Sequence, residues 1–467
     1  MKFTSTQERP AEETAGQEAP PNIAVVGRRA TTAGSMLLIL YLAAVLSPLV
    51  LVLTFGDKGE ETFLSQLAMC LPLVGFSILA MQFVLSARMR WVERPFGMDV
   101  VYQFHKAMGM FAGVLLLAHP VVVAAADQSW SVLFGLSAPW YIWVGRAALL
   151  LLVVHASLAI FRSVLRMEYQ KWKAIHSVFA LLVLTGGLIH SWFAGGDLQL
   201  PALRVLWVLL FTGAAASYVW HRFLRPRQLR RWEHRVVDVK QEADDVWTVT
   251  LAPTHPAKHR AFLPGQYHYL ALPEHEHLPA EEHPFTISSS PTQAGVVSST
   301  IKSAGDFTRS ISRVKPGDLM TVHGPFGRFS YMLQPDQHEL VFIAGGVGIT
   351  PLMSMLRHLR DTGGERRVTL LYANKTPGDI LFREEISAME DRNKPYLDVV
   401  HMISKPNDNW TGETGRIDVD KIVQHCGNLD NKAFYICGPA GFMDTAVSSL
   451  KSLRVPDNRI HFERFDQ

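Results

Sequence analysis

The chain has only three cysteines in 467 residues, and charged side chains make up just 19% of it. Cys70 falls in an apolar run and Cys426 and Cys437 in the polar second half, so no disulfide framework is implied. The first 35 residues lack the short apolar core of a cleavable signal peptide. They are polar, with several Glu, Thr and Ala and the adjacent Pro20 and Pro21, and are expected to be disordered. There is no calcium-binding loop and no long proline-rich tail. Regulation by partner subunits is therefore not visible, and no obligatory protein subunit is expected. The net charge of +3 needs no nucleic-acid partner, because short basic loops between apolar runs explain it.

What the chain has in abundance is apolar sequence, concentrated in its first half: 48% of all residues are hydrophobic. Runs of about 20 apolar residues cover 36 to 56, 63 to 86, 101 to 126, 139 to 162, 172 to 193 and 201 to 223, which predicts six spanning helices in a lipid bilayer. Cations collect in alternate loops: Arg28 and Arg29; Arg88, Arg90 and Arg94; Arg162, Arg166, Lys171 and Lys173; and the run from Arg222 to Arg231. The opposite loops carry Asp57, Glu60 and Glu61, then Asp127, then Asp197, with Lys58 their main cation. The positive-inside rule then puts both termini in the cytoplasm of a multi-pass plasma (inner) membrane protein. Trp130, Trp140 and Trp192 fall at the outer interface, Trp91 and Trp172 at the inner one.

Two of these helices carry matched histidines, His105 with His119 and His176 with His190, at one shared spacing. Fourteen helical positions advance about 1400°, within roughly 40° of four full turns, so each pair lies on one face. Its members stand about 21 Å apart along the axis, most of a hydrocarbon core of about 30 Å. Both helices run outward, so His105 and His176 share the inner depth and His119 and His190 the outer. Neutral imidazole is a good iron ligand, and this geometry suits two b-type haems stacked across the membrane with both axial positions filled. The bland alternatives are helix packing or a proton path through a channel. His155 has no partner at the shared spacing and reads as packing or an inner-haem neighbour. Arg146, about seven residues from the outer end of its helix, is placed to neutralise an outer-haem propionate, to stabilise superoxide, or simply to snorkel to the interface.

Beyond residue 232 the pattern changes to short alternating strands, as from Val236 to Leu251 and in the run beginning at Phe262, which reads as a small antiparallel β-barrel. From about 338, strand-like runs near 339 to 344, 367 to 373, 397 to 403, 433 to 437 and 460 to 464 alternate with helical stretches, the signature of a parallel nucleotide-binding sheet. The expected domains are a disordered cytoplasmic segment at 1–35, a six-helix transmembrane di-haem bundle at 36–223, an FAD-binding barrel at 232–335 and an α/β NAD(P)H-binding domain at 336–467.

The barrel contains PGQYHYL from Pro264 and HPFTISSSP from His283. HPFTISSSP resembles the flavin signature of the NADPH oxidase and ferric reductase family, a branch of the ferredoxin reductase superfamily whose haem helices carry histidine pairs at similar spacing. The resemblance covers about residues 100 to 467. It implies that Phe285 packs on the isoalloxazine, that the Thr286 hydroxyl reaches the flavin ring, and that His283, beside Pro284, takes the phosphate-side position where many soluble relatives have Arg. Ser288 and Ser289 are supporting candidates. KSAGDFTRSI from Lys302 ends in a predicted helix whose free N–H groups suit the flavin pyrophosphate near Gly305 and Thr308, although Thr308 also reads as a helix N-cap. GPFG, Gly324 to Gly327, resembles the loop that closes the flavin site.

The segment VFIAGGVGITPLMSML from Val341 puts Gly345, Gly346 and Gly348 between a strand and a helix that opens near Thr350 and Pro351, a turn suited to a pyrophosphate. Tight packing alone also selects glycine. The resemblance gives this turn weight beside CGPAGFM, where Cys437, Gly438 and Pro439 occupy the family's position next to nicotinamide; a buried small thiol is the alternative. In the terminal FERFDQ, Phe465 resembles the aromatic that stacks over the flavin and gives way to nicotinamide. Lys375 stands where relatives contact the adenosine ribose, favouring NADPH over NADH unless it is merely solvated.

The resemblance implies a sequence of carriers: NAD(P)H, FAD, the inner haem, the outer haem, and an acceptor outside. Oxygen, yielding superoxide, and a ferric chelate are both compatible; the short outer loops, with few acids and no His or Cys cluster, tilt the expectation to oxygen. Transfer to an extracytoplasmic protein is a third possibility.

Overall fold

The computed structural model describes residues 23–56, 62–229, 232–255, 260–271 and 282–464. Residues 1–22, the loop charges Asp57, Lys58, Glu60 and Glu61, the linker cations Arg230 and Arg231, and Phe465 lie outside them.

The first half is helical: α1 (Ile23–Phe55), α2 (Phe63–Ser86), α3 (Arg90–Phe96), α4 (Met98–Ala126), α5 (Ser131–Phe134), α6 (Trp140–Ile160), α7 (Tyr169–Ala194), α8 (Pro201–Val219) and, after a π-helical turn, α9 (Arg225–Leu229). Six of these, α1, α2, α4, α6, α7 and α8, contain spans long and apolar enough to cross a membrane. Helix α1 starts at Ile23 rather than near 36, which corrects the expected disorder of residues 23–35. That stretch has three alanines and no proline, and prolonging an established helix costs far less than nucleating one. Outward-facing Val114, Leu150 and Leu209 are exposed, as lipid-facing residues are, while Phe76 stacks on the buried Trp207 at 5.0 Å within the bundle. Helix α4 packs chiefly on α2, and α7 on α6.

The barrel strands are β1 (Glu233–Ala243), β2 (Val246–Pro253), β3 (Tyr267–Ala271), β4 (His283–Thr286), β5 (Val297–Lys302) and β6 (Leu319–Phe326), ordered β4-β3-β6-β1-β2-β5 with every pairing antiparallel. The edges approach each other where the Ser288 N–H donates to Ser298 O at 2.7 Å. The strand expected from Phe262 begins only at Tyr267, because Pro264 and Gly265 turn the chain first; Gly265 has φ +94 and its Cα lies against the Phe329 carbonyl. Phe262 instead fills the barrel core with Val249, Leu251 and Leu270. Between β5 and β6 lies α10 (Asp306–Ser310).

The last third holds β7 (Glu339–Gly345), α11 (Ile349–Thr362), β8 (Arg367–Asn374), α12 (Arg383–Asp391), β9 (Tyr396–Ile403), β10 (Glu413–Thr414), α13 (Val419–Cys426), β11 (Lys432–Cys437), α14 (Ala440–Ser452) and β12 (Ile460–Phe462). The sheet is parallel, in the order β10-β9-β8-β7-β11-β12, with a core on each face. Strand order reverses between β7 and β11, and open α/β sheets bind ligands beyond the carboxyl ends of strands at such a switch point. Helix α11 stops at Gly363, left-handed at φ 66, whose N–H donates to Leu359 O. Fold class and element order therefore agree with the sequence: an apolar helical bundle, an antiparallel barrel and a parallel α/β sheet.

Candidate functional site

Helices α4 and α7 bring the four spaced histidines together in two levels. The His105 and His176 ring centroids are 6.4 Å apart, and those of His119 and His190 are 6.5 Å apart. Two imidazoles on one metal, at bonds of about 2 Å with each ring centre roughly 1 Å further on, have centroids about 6 Å apart. The remote nitrogens support the same function. The His119 Nδ1–H donates to Ala68 O on α2 at 2.8 Å, and the His190 Nδ1–H to Tyr141 O on α6 at 3.0 Å. Such bonds fix the tautomer and leave Nε2 bare for a metal. Gly145 makes room for the outer pair, since a Cβ there would stand 2.5 Å from His190 Nδ1. His105 Nδ1 is buried without a hydrogen bond of good geometry among the described residues. His155, left unassigned by spacing, lies with Nε2 2.6 Å from His176 Nδ1. The residues present fit a bis-histidine haem at each level. Among the described residues no group of three or more His, Cys, Asp or Glu is placed to hold a bare metal ion.

The flavin half meets the bundle at the His105 and His176 end. Arg88, held at φ 51 after α2, donates from Nε to the Tyr102 hydroxyl at 2.9 Å and lies over the Tyr269 ring. Its guanidinium is 3.7 Å from Glu282, which Arg225 contacts at 2.5 Å, while a second Arg225 nitrogen donates to His323 Nδ1 at 2.7 Å. Burial opposes a charge on Glu282, but its contacts with His323, Arg225 and Arg88 prevail and hold the carboxyl at about 2. Nearby, Arg328 donates to the Pro95 carbonyl at 3.2 Å. Glu282, Arg225 and His323 were not singled out from the sequence. The local signals are an acid immediately before the HPFT motif and the basic run that contains Arg225.

Strand β4 lies opposite β3, pairing His283 with Leu270, Pro284 with Tyr269, Phe285 with His268 and Thr286 with Tyr267. Alternation puts Pro284 and Thr286 on the face of Tyr267, Tyr269 and Phe326, and His283 and Phe285 on the other. There Phe307 of the KSAGDFT segment stacks on both, at 4.3 Å from His283 and 5.8 Å from Phe285. Phe307, missed by the sequence reading, thus occupies one side of the ring expected on the isoalloxazine. His283 Nε2 is buried without a partner among the described residues, and burial, followed by the charges of Lys173 and Arg88, pulls its pKa down to about 4. A neutral imidazole with a spare nitrogen fits an FAD phosphate as a hydrogen-bond partner, not as a countercharge.

Ser288 and Ser289 serve the seam between barrel and sheet. The Ser288 carbonyl accepts from Arg357 and the Ser289 carbonyl from Ser354, both at 2.7 Å, and the Ser288 hydroxyl is 3.0 Å from that of Thr300. Thr308 is not an N-cap. Gly305 holds that position, and the Thr308 oxygen, one turn into α10, accepts the N–H groups of Ala304 at 2.8 Å and Gly305 at 2.7 Å. Thr308 thus engages backbone N–H groups that the sequence reading offered to a pyrophosphate. The GPFG segment runs out of β6 rather than forming a free loop, turning at Gly327, φ +95, whose Cα lies against the Glu463 carboxylate.

At the sheet's switch point the glycine turn and CGP are in contact. Any Cβ on Gly348 would collide with the Cys437 carbonyl, and one on Gly345 would meet Phe442 at 3.0 Å, so packing dictates both. Gly346 differs: it has φ +55, with open space where a Cβ would go, and its carbonyl accepts from Tyr372 at 3.2 Å. Thr350 and Pro351 are buried in the first turn of α11. The Cys437 thiol is pushed up to about 12, by burial first and then by the Glu463 charge, which keeps it a neutral, weakly nucleophilic lining group. Gly438 packs on Gly345, and Pro439 caps α14. Lys375 is exposed at the end of β8.

Arg146 engages the loop around α5. Its guanidinium donates to the carbonyls of Ser131, Val132 and Gly135 at 2.8 to 3.0 Å. The Gly135 N–H at the end of the four-residue α5 donates to the Ser131 carbonyl, and Arg146 adds donors to it and to the carbonyls of Val132 and Gly135. It organises the loop beyond the outer histidines.

Known proteins match in the same order. The ferric reductase like transmembrane component matches residues 71–187, an FAD-binding domain residues 231–330, and the oxidoreductase NAD-binding domain residues 342–448. The chain is 27% identical over 293 residues to the plasma membrane-associated coenzyme Q6 reductase PGA3 of Saccharomyces cerevisiae, covering 60% of this chain and 89% of that protein. It is 29% identical over 238 residues to the reductase component of propane 2-monooxygenase of Rhodococcus jostii, covering 50% of this chain and 62% of that one. Among solved structures, the CS-b5R domains of human Ncb5or in the NAD+ form match at 28% identity and a TM-score of 0.45, over 49% of this chain and 68% of that one.

Proposed function

We propose that this chain, which belongs by its ferric reductase-like membrane, FAD-binding and NAD-binding domains to the NADPH oxidase and ferric reductase-like flavocytochromes, carries electrons from NAD(P)H across a membrane to oxygen and releases superoxide. The observation that carries this reading is the pair of facing histidine couples at 6.4 and 6.5 Å, joined in one chain to flavin and nucleotide modules. When bound, FAD accepts hydride from NAD(P)H and hands electrons on singly to haem.

His105 and His176 hold the inner haem and His119 and His190 the outer one, with termini and flavin half on the cytoplasmic side as the loop charges require. The turn at Gly346 and the neutral thiol of Cys437 shape the nicotinamide and pyrophosphate seat. Thr286, facing Tyr267, presents its hydroxyl to the flavin ring, and His283 donates to a phosphate oxygen. Lys375, exposed at the end of β8, favours NADPH over NADH. The Arg88, Arg225 and Glu282 lock keeps the flavin domain against the inner haem end. His105, His176, His119 and His190 would hold both haems through imidazole nitrogens, and the haems would supply one-electron transfer to oxygen without coordinating it. Arg146 ties the loop around α5 to α6, and the short outer loops with few acids favour a small neutral acceptor.

A ferric chelate as acceptor is the second reading, since the matching membrane family is that of the ferric reductases. The deciding experiment follows purified, FAD-supplemented protein given NADPH and then NADH, scoring dismutase-sensitive cytochrome c reduction alongside anaerobic haem spectra. Haem reduction with a large dismutase-sensitive rate supports the oxidase. Haem reduction with a negligible rate overturns it in favour of a chelate or protein acceptor.

A further inference from the structure

Helix α6 supports both of the candidate ligands on α7, and it does so at their own spacing. Opposite His190 stands the Tyr141 carbonyl, and opposite His176 stands the His155 imidazole; the step from Tyr141 to His155 equals that from His176 to His190, in antiparallel register. The outer level is thus buttressed by backbone, and the inner level by a side chain.

We propose that His155 is a positioning residue for the inner haem, its Nε2 accepting the Nδ1–H of His176 and thereby setting the tautomer, the orientation and the electron donation of that ligand. This inference rests on the haem reading above. The proton assignment follows from connectivity. If the His176 Nε2 binds iron it carries no proton, so the ring's one N–H sits on Nδ1. Nδ1 lies 2.6 Å from His155 Nε2, which must therefore be the acceptor and leave the His155 proton on its own Nδ1. The two rings are nearly perpendicular, 75° at 4.2 Å between centroids, so the donor ring meets its acceptor at an edge rather than stacking on it. Trp172 lies 4.9 Å from the His176 centroid at a shallow 35°, and Phe179 stands edge-on to His155 at 6.4 Å. The pair is held in an apolar setting where a hydrogen bond to a neutral acceptor is strengthened by low dielectric. An acceptor on the remote nitrogen makes an imidazole a stronger donor to iron and favours the oxidised metal.

The test uses the full-length protein, comparing wild type with H155L and H155Q, each also in an H119A background so that one haem remains and reports alone. Haem content per chain, a potentiometric titration and low-temperature EPR are recorded. We expect H155L to keep the inner haem, to shift its midpoint potential upward and to alter its EPR signature, with the outer haem of the single variant unmoved. H155Q, whose amide oxygen accepts the same N–H, should restore most of the wild-type values. Unchanged potential and spectrum in H155L would overturn the role. So would loss of the inner haem in both H155L and H155Q, or its retention in H176L, which would make His155 the ligand. Fewer than two haems in wild type would instead remove the haem reading, and this inference with it.

Discussion

The membrane half and the nucleotide-binding half place their functional groups in opposite ways. In the bundle, four histidines on two helices reach their positions through helical period alone, and the atoms that steady them are backbone carbonyls or a single neighbouring ring. In the flavin and nucleotide domains most motif residues are engaged by the protein. Ser288 and Ser289 bind the seam, Thr308 closes its own helix, and Gly345 and Gly348 are required because Phe442 and Cys437 leave no room for a side chain. A regular helix transmits position over about 21 Å without local contacts. A glycine turn acquires its meaning only from what packs against it.

That contrast is most sharply tested in the bundle. Replacing His119 or His190 with Ala should remove one haem per chain and abolish acceptor reduction while NAD(P)H still bleaches the flavin. Haem quantification beside flavin absorbance checks both, and two haems retained in either variant would sink the assignment. At the junction, Arg225→Leu leaves Glu282 buried with one guanidinium fewer, a cost of about 3–5 kcal/mol. We expect NAD(P)H to reduce soluble dyes normally but haem far more slowly, read by stopped flow. Within the sheet, Gly348→Ala forces a methyl into the Cys437 carbonyl at a cost of about 1–3 kcal/mol. Coenzyme-dependent turnover should fall and melting of the nucleotide-binding domain come earlier, with haem content unchanged.

The smallest effect is one of pH. Glu93 on α3 is 3% exposed, and burial, then the nearby Glu463 carboxyl, push it up to about 8 from an ordinary 4.5, against the pull of the Gly327 N–H, Arg94 and Arg88. The native state therefore keeps a proton that the unfolded chain gives up. Its contribution to stability is complete below the ordinary value and is lost as pH rises through about 8. Melting temperatures of wild type should decline between about pH 5 and pH 8 more steeply than those of Glu93→Gln. Parallel profiles would show that Glu93 does not carry the dependence.

Much of this was legible in the chain. The six spans, the histidine levels and the order of barrel and sheet follow from periodicity, and the seat of GGVG beside CGP follows from the resemblance to the ferric reductase family. The misses share one cause. Arg146 reads equally as a charge aimed at a ligand and as one snorkelling to the interface, because nothing in sequence marks the carbonyls of Ser131, Val132 and Gly135 that it binds. Phe307 acts through His283, on a separate strand, and Arg225 through Glu282, far along the chain, so neither pairing leaves a local pattern. His155 has no histidine match at the shared spacing because its counterpart is the main-chain oxygen of Tyr141, which no side-chain pattern records.

By itself the sequence determined which segments cross the membrane and which residues share a helical face, because hydrophobic length and the 3.6-residue period are local properties of the chain. Only the tertiary structure decided which polar atoms remain available once the chain has satisfied itself. Every buried donor and acceptor must find a partner, and the folded neighbourhood, not the order of residues, supplies the candidates.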